Sequence, residues 1–190
     1  AELAQHHGVT TTLLPATDDS LATRFTTELG EMSFQEYFVK HHHDVVVTDI
    51  SFEGAPSARP TAAVREALTR AERIVIAPSN PLISIEPILR VPGIRDLVAQ
   101  RRDDVVAISP LVGGAALKGP ADRLMRELGH DVSVAGIAAL YASLAATLII
   151  DEVDAAHAPQ VEAAGLKCVV TTTVMDNPVH ARQLAQAVLA

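Results

Sequence analysis

The chain has 190 residues, 48% of them hydrophobic and 20% charged, with a formal net charge of −8. That length supports one domain with a substantial core and room for a smaller subregion. The acid excess argues against a protein that binds nucleic acid chiefly by neutralising phosphates, and no apolar run reaches the roughly 18 residues of a membrane-spanning helix.

In chain order, Ala1–His7 reads as the interior of a helix, leading through Gly8 to a strand-like Val9–Leu14. There is no initiator Met and neither the basic start nor the apolar middle of a signal peptide, so the chain reads as beginning inside a sheet. The Thr-rich Leu21–Leu29, closed by Gly30, reads as one arm of a hairpin. Ser33 stands three residues before Glu36, a capping-box spacing, and Phe34, Tyr37 and Phe38 then share one helical face. Three of the four Phe and one of the two Tyr fall within Phe25–Phe38. In a chain only 3% aromatic, that concentration fits either a wall for a flat ligand or a local satellite core. His41-His42-His43 has no companion Cys or Glu at ligand spacing and is not expected to bind metal. Asp44–Phe52 reads as another strand and Glu53–Pro60 as a return, so residues 21–59 form an expected inserted subregion of hairpin and short helix.

From Thr61 the rhythm is regular: helix Thr61–Ala71, strand Arg73–Ala77, helix Ile94–Arg101, strand Val105–Ser109, helices Pro120–Leu128 and Ser133–Ala146, strand Thr147–Asp151, helix Ala155–Ala164, strand Leu166–Thr171, and a last helix from Asn177-Pro178 to Leu189. Strands alternating with helices predict an α/β fold, a Rossmann-like three-layer core with a largely parallel sheet. The lone Cys168 sits in an apolar strand, can form no internal disulfide, and fits a reducing, cytoplasmic compartment.

In such a sheet, ligands bind where strands end, so Pro78–Pro81, Pro110–Gly119, Asp151–Asp154 and Thr171–Asn177 are the candidate site loops. In the first, Ser79 and Asn80 can donate to phosphate or carbonyl oxygens, Pro81 stiffens the turn, and Ser84 follows near the start of a helical stretch. An ordinary strand-to-helix connection would read the same way. In the second, Gly113-Gly114 admits close backbone approach or positive φ, Lys118 is a mobile cation, and Gly119-Pro120 opens a helix. The order of residues is neither a Walker A loop nor a dinucleotide fingerprint. Asp151, Glu152 and Asp154 read as caps of the following helix, with Mg²⁺ ligation as the alternative; Asp176 either meets a ligand or turns with Asn177.

Taken together, Ala77-Pro-Ser-Asn-Pro-Leu-Ile-Ser-Ile-Glu-Pro-Ile-Leu89, the Ile108–Gly129 segment, Thr171-Thr-Thr-Val-Met-Asp176 and Phe34-Gln-Glu-Tyr-Phe-Val39 resemble the 2-phospho-L-lactate transferase family, whose actinobacterial members use a phosphoenolpyruvyl donor. The resemblance runs over nearly the whole chain. It implies a Mg²⁺-dependent transfer of a phosphorylated three-carbon acid from a guanosine-diphosphate-linked donor to the deazaflavin FO, releasing GMP, in coenzyme F-420 biosynthesis. It also implies a homodimer. By that resemblance Ser79, Asn80, Pro81, Ser84, Gly113, Gly114, Lys118 and Gly119 would face the donor. Phe34, Tyr37 and Phe38 would receive FO, and Arg24 or Asp176 would make acceptor or carboxylate contacts. The family's glycine-rich first loop and its Asn-Thr-Gly-Asp-Asp segment, expected to hold the metal, do not occur in this sequence. A non-catalytic guanine-nucleotide module and a structural α/β protein stay open beside the enzyme.

Overall fold

The protein is described by a computed structural model covering His6, Gly8 and residues 10–190. The expected helix Ala1–His7 lies outside the described residues except for His6, as does Val9 of the expected first strand. Residues 10–14 form no strand; the chain instead runs along the surface until Thr17 bridges Pro60.

The first compact element is a three-stranded antiparallel sheet of β1 (Ala22–Thr27), β2 (Gly30–Ser33) and β3 (Val47–Glu53), in the order β2-β1-β3. Thr27 closes the β1–β2 turn, donating its hydroxyl to the Gly30 carbonyl and accepting the Leu29 N–H. Ser33 and Glu36 make the expected capping box: the Ser33 hydroxyl accepts the Glu36 N–H, and the Glu36 carboxylate accepts the Ser33 N–H. That exchange, the backbone bond above all, holds the Glu36 carboxyl below its ordinary value. Past Glu36 the chain widens into a π-helical turn, Glu36–Lys40, of the kind that bulges a helix near functional sites.

The main sheet has four strands, β4 (Ile74–Ile76), β5 (Val105–Ile108), β8 (Thr147–Ile150) and β9 (Lys167–Val170), all parallel and in that order. The sequence alone does not fix this order. Alternate residues face opposite ways along each strand. Ile74, Ile76, Val105, Ala107, Leu148 and Ile150 point into the larger core, against α3 (Ile94–Gln100), α5 (Val134–Tyr141) and α6 (Ala158–Ala163). On the other face Val106, Ile108 and Ile149 meet Leu184 and Val188 of the last helix, α7 (Pro178–Leu189). That face thins toward β4, where Val75 is 44% exposed. The remaining helices are α1 (Ala62–Arg70), the short α2 (Glu86–Leu89) and α4 (Ala121–Glu127).

Two expected helices are shorter than their patterns. The Ser133–Ala146 run leaves the helix after Tyr141, because Arg102 takes the Ala142 carbonyl and the Ala146 N–H turns to Arg102 and Val105, feeding β8. The Ala155–Ala164 run is α-helical only from Ala158, behind a 3-10 stretch Glu152–His157. Pro159 sits in the first turn, where its missing N–H is harmless, but it would break a longer helix.

Gly136 marks the tightest backbone approach near the core. It lies in the first turn of α5, its N–H donates to the capping Ser133, and a Cβ there would overlap the Asp131 carbonyl. Gly136→Ala is therefore expected to cost about 3 kcal/mol, the upper end for overpacking, since the obstacle is backbone. Urea unfolding measures this; a loss below about 0.5 kcal/mol would show that the Asp131 turn yields freely.

Candidate functional site

Because the four main strands are parallel, their carboxyl ends share one edge, and the loops leaving β4, β5 and β9 gather there around a cavity of 770 Å³. Its walls include Pro78, Ser79, Asn80 and Ser84 after β4, Ser109 to Ala121 in part after β5, Thr173 to Asp176 after β9, and Phe34 and Phe38 from the antiparallel subregion.

Asn80 organises the first wall. Its Oδ1 accepts the N–H groups of Leu82 (2.9 Å) and Ile83 (3.3 Å), capping a second π-helical turn, Pro81–Ile85, that begins at the rigid Pro81. The side chain has thus consumed the amides that a phosphate would otherwise take. Its Nδ2 is buried and has no partner among the described residues, an arrangement costly enough to need a reason. The Ser79 and Ser84 hydroxyls form no hydrogen bond among the described residues. Pro81 itself is buried beneath the turn and does not line the cavity.

The second wall is a small ribbon, β6 (Leu111–Val112) and β7 (Ala115–Ala116), followed by the Lys118 loop. Gly113 and Gly114 are its two-residue turn, with φ of 62° and 77°. Two positive values in succession define the type I′ hairpin, which suits glycine at both places. This pair is explained by the turn, and neither residue lines the cavity. Lys118 and Gly119 do line it; Lys118 is exposed, is the single cation of the lining, and makes no hydrogen bond or ion pair among the described residues.

Phe34 and Phe38 stack at 4.5 Å between centroids and present an aromatic edge to the same cavity. Tyr37 does not join them. It is fully buried, stacked on Phe25 at 4.3 Å, in a cluster where Phe25, Met32, Val45 and Val47 pack with Ile83 and Leu124 of the main body. Burial first, and then the Glu127 carboxylate, push its hydroxyl up to about 12. Arg24 is also elsewhere: it lies exposed on β1 and pairs with Glu53 at 2.7 Å, away from the lining. The aromatic stripe therefore divides into one core residue and two at the cavity.

The Asp151–Asp154 loop supplies no lining residue; it clamps the loops that do. Asp151, 5% exposed, accepts the Val153 N–H, the Thr173 N–H (2.8 Å) and the Thr173 hydroxyl (2.9 Å). Burial alone would raise its carboxyl, but bonds from Thr173, Val153 and Val174 prevail and hold it below the ordinary range. Asp154, 4% exposed, accepts the Gly113 N–H at 2.9 Å and so ties down the ribbon. The cap reading of Asp151 is correct as far as it goes, yet sequence gave no sign of the partners across the sheet edge. Among the described residues no group of three or more His, Cys, Asp or Glu is placed to hold a metal ion. A Mg²⁺ ion held by these residues would therefore have to share its ligands with the phosphates of a bound substrate.

A model of the family described as 2-phospho-L-lactate transferase CofD matches residues 1–173. The 2-phospho-L-lactate transferase of Methanosarcina acetivorans is 35% identical over 188 residues, covering 99% of this chain and 61% of that protein. The phosphoenolpyruvate transferase of Streptomyces griseus is 42% identical over 161 residues, covering 82% of this chain and 51% of that protein. The chain thus spans half to three fifths of the length of these curated relatives. A crystal structure of a Bacillus halodurans member of the UPF0052 family shares the fold, with a TM-score of 0.62 at 19% identity, over 100% of this chain and 64% of its own. On the family match over residues 1–173, this chain belongs to the 2-phospho-L-lactate transferase CofD family.

Proposed function

We propose that the protein transfers a phospholactyl or phosphoenolpyruvyl group from a guanosine-diphosphate-linked donor to the terminal hydroxyl of the deazaflavin FO, releasing GMP, in coenzyme F-420 biosynthesis. One observation carries the reading. A single cavity at the carboxyl edge of the sheet brings a lysine, an Asn80 amide and two serine hydroxyls, all without side-chain partners among the described residues, beside a pair of stacked aromatic rings. The first set suits a charged diphosphate; the rings suit a flat heterocycle.

Phosphoryl transfer asks mainly for positioning and charge stabilisation. In this reading Asn80 and the serines hold the donor's phosphates, Lys118 balances their charge from the mobile side, and Phe34 with Phe38 hold FO. We place the protein in the cytoplasm as a homodimer, a state that sedimentation would check; no described helix is long and apolar enough to cross a membrane.

The test is to incubate the full-length protein with each guanylylated donor, FO and Mg²⁺ and identify products by mass. An FO adduct with one GMP released per adduct is the expected result. Binding of GDP with no adduct would instead favour a nucleotide-binding module. In the same assay Lys118→Ala should lower transfer rate or donor affinity at least about tenfold, the scale of a 1.4 kcal/mol loss. Rates unchanged within twofold would remove Lys118 from the site.

A further inference from the structure

We propose that Asp176 is the proton acceptor for the attacking hydroxyl, and that His180 and Asn177 hold it for that task. The assignment rests on the transferase reading above and deepens it. Asp176 is the single carboxylate among the residues lining the cavity. The other polar side chains there, Ser79, Ser84, Ser109, Thr173, Lys118 and the Asn80 amide, are hydroxyls or N–H donors, none able to take a proton from an alcohol near neutral pH.

The two oxygens of Asp176 have different surroundings. Oδ1 meets His180 Nδ1 at 2.6 Å and accepts from Asn177 Nδ2 at 2.9 Å. Oδ2 has no partner among the described residues. Asn177 Nδ2 also lies 3.0 Å from His180 Nδ1, but one ring nitrogen cannot both donate to the carboxylate and accept from the amide. The shorter approach to a charged oxygen decides the matter, so His180 Nδ1 carries the proton. Asn177 is fixed in turn, because its Oδ1 caps α7 by accepting the N–H groups of Val179 (2.9 Å) and His180 (3.0 Å). Both clamps are thus built into the first turn of a 12-residue helix, and they leave one open oxygen on a positioned carboxylate.

In the transfer step the alcohol oxygen forms a new bond to the phosphorus carrying the three-carbon acid. The anhydride P–O bond breaks, its electron pair leaving on GMP, and the alcohol proton passes to Asp176 Oδ2. The Asp176 side chain is 61% exposed, so that proton has a direct path to water. General bases contribute about 100-fold or more where proton transfer is advanced in the transition state, and less in the loose transition state of phosphoryl transfer. Asp176 acts on the reacting atom; His180 is a positioning residue.

The test uses the full-length protein, with GDP affinity measured by calorimetry and turnover with donor, FO and Mg²⁺. Asp176→Asn is expected to lower kcat about 30-fold, with GDP affinity and melting temperature unchanged. His180→Ala should lower kcat about fivefold without raising the KM for donor, and His180→Gln, which retains an N–H donor, should recover part of that loss. If the unsubstituted protein turns over and Asp176→Asn stays within threefold of it, the assignment is overturned while the transferase reading stands. A fall in GDP affinity that accounts for the whole effect would overturn it equally. If the unsubstituted protein makes no product at all, the transferase reading falls and this assignment falls with it.

Discussion

Asn80→Asp in the full-length protein is expected to weaken GDP binding at least about 100-fold and, because a charged oxygen replaces a buried amide, to lower stability by about 1–3 kcal/mol. The two halves of the Asn80 side chain do separate jobs. Oδ1 caps the Pro81–Ile85 turn, and aspartate caps as well as asparagine does, so the Leu82 and Ile83 amides stay satisfied. Nδ2 is the buried donor without a partner among the described residues. Replacing it with a charged oxygen removes a hydrogen bond to an anion, worth about 1.5–3 kcal/mol, and adds repulsion where the diphosphate would lie. Together these reach about 2.7 kcal/mol, which is a 100-fold change in affinity. Asn80→Ser, which retains a neutral cap, should fall between the two. Calorimetric titration with GDP beside urea unfolding separates binding from stability; an affinity within threefold of the parent would mean that Nδ2 points at nothing.

Asp151→Ala is expected to cost about 3 kcal/mol of stability at pH 7. Removing a carboxylate that satisfies the Thr173 N–H, the Thr173 hydroxyl and the Val153 N–H strands buried donors at a penalty of about 1–3 kcal/mol for the set's most enclosed members. The pH dependence has a defined sign. The folded-state carboxyl lies below its ordinary value, so its contribution is fully present above the unfolded value of about 3.9 and is lost as pH falls through the lower folded one. Unfolding free energies from pH 7 down to pH 3 should therefore decline less steeply for Asp151→Ala than for the parent. A parallel decline would show that the Thr173 clasp adds no acid sensitivity.

The βα rhythm from Thr61 onward was legible because each strand is a short apolar run and most of the longer helices carry a cap or a glycine stop: Thr61, Ser133 and Asn177 all cap. The capping box at Ser33 was legible for the same local reason. The loops around the cavity could be read from the rule that parallel strands end at one edge. What escaped was whatever depends on distant partners. Gly113-Gly114 resembles a phosphate nest until the ribbon on either side reveals a hairpin turn. Tyr37 shares a helical stripe with Phe34 and Phe38, and only the Phe25 ring across the sheet decides which of the three is enclosed. Arg24 faces Glu53, a neighbour 29 residues away along the chain. Asp151 and Asp154 gave no local sign that they bind Thr173 and Gly113. Strand order, likewise, is a property of long-range pairing and leaves no trace in periodicity.

Amide hydrogen exchange of the full-length protein with and without GDP addresses the cradle itself. Two segments far apart in sequence, residues 79–84 and 116–121, supply lining residues to one cavity, and a diphosphate held between Asn80 and Lys118 should slow exchange in both at the same ligand concentration. Saturating GDP that slows neither segment, or slows one while the other exchanges as before, would contradict the account.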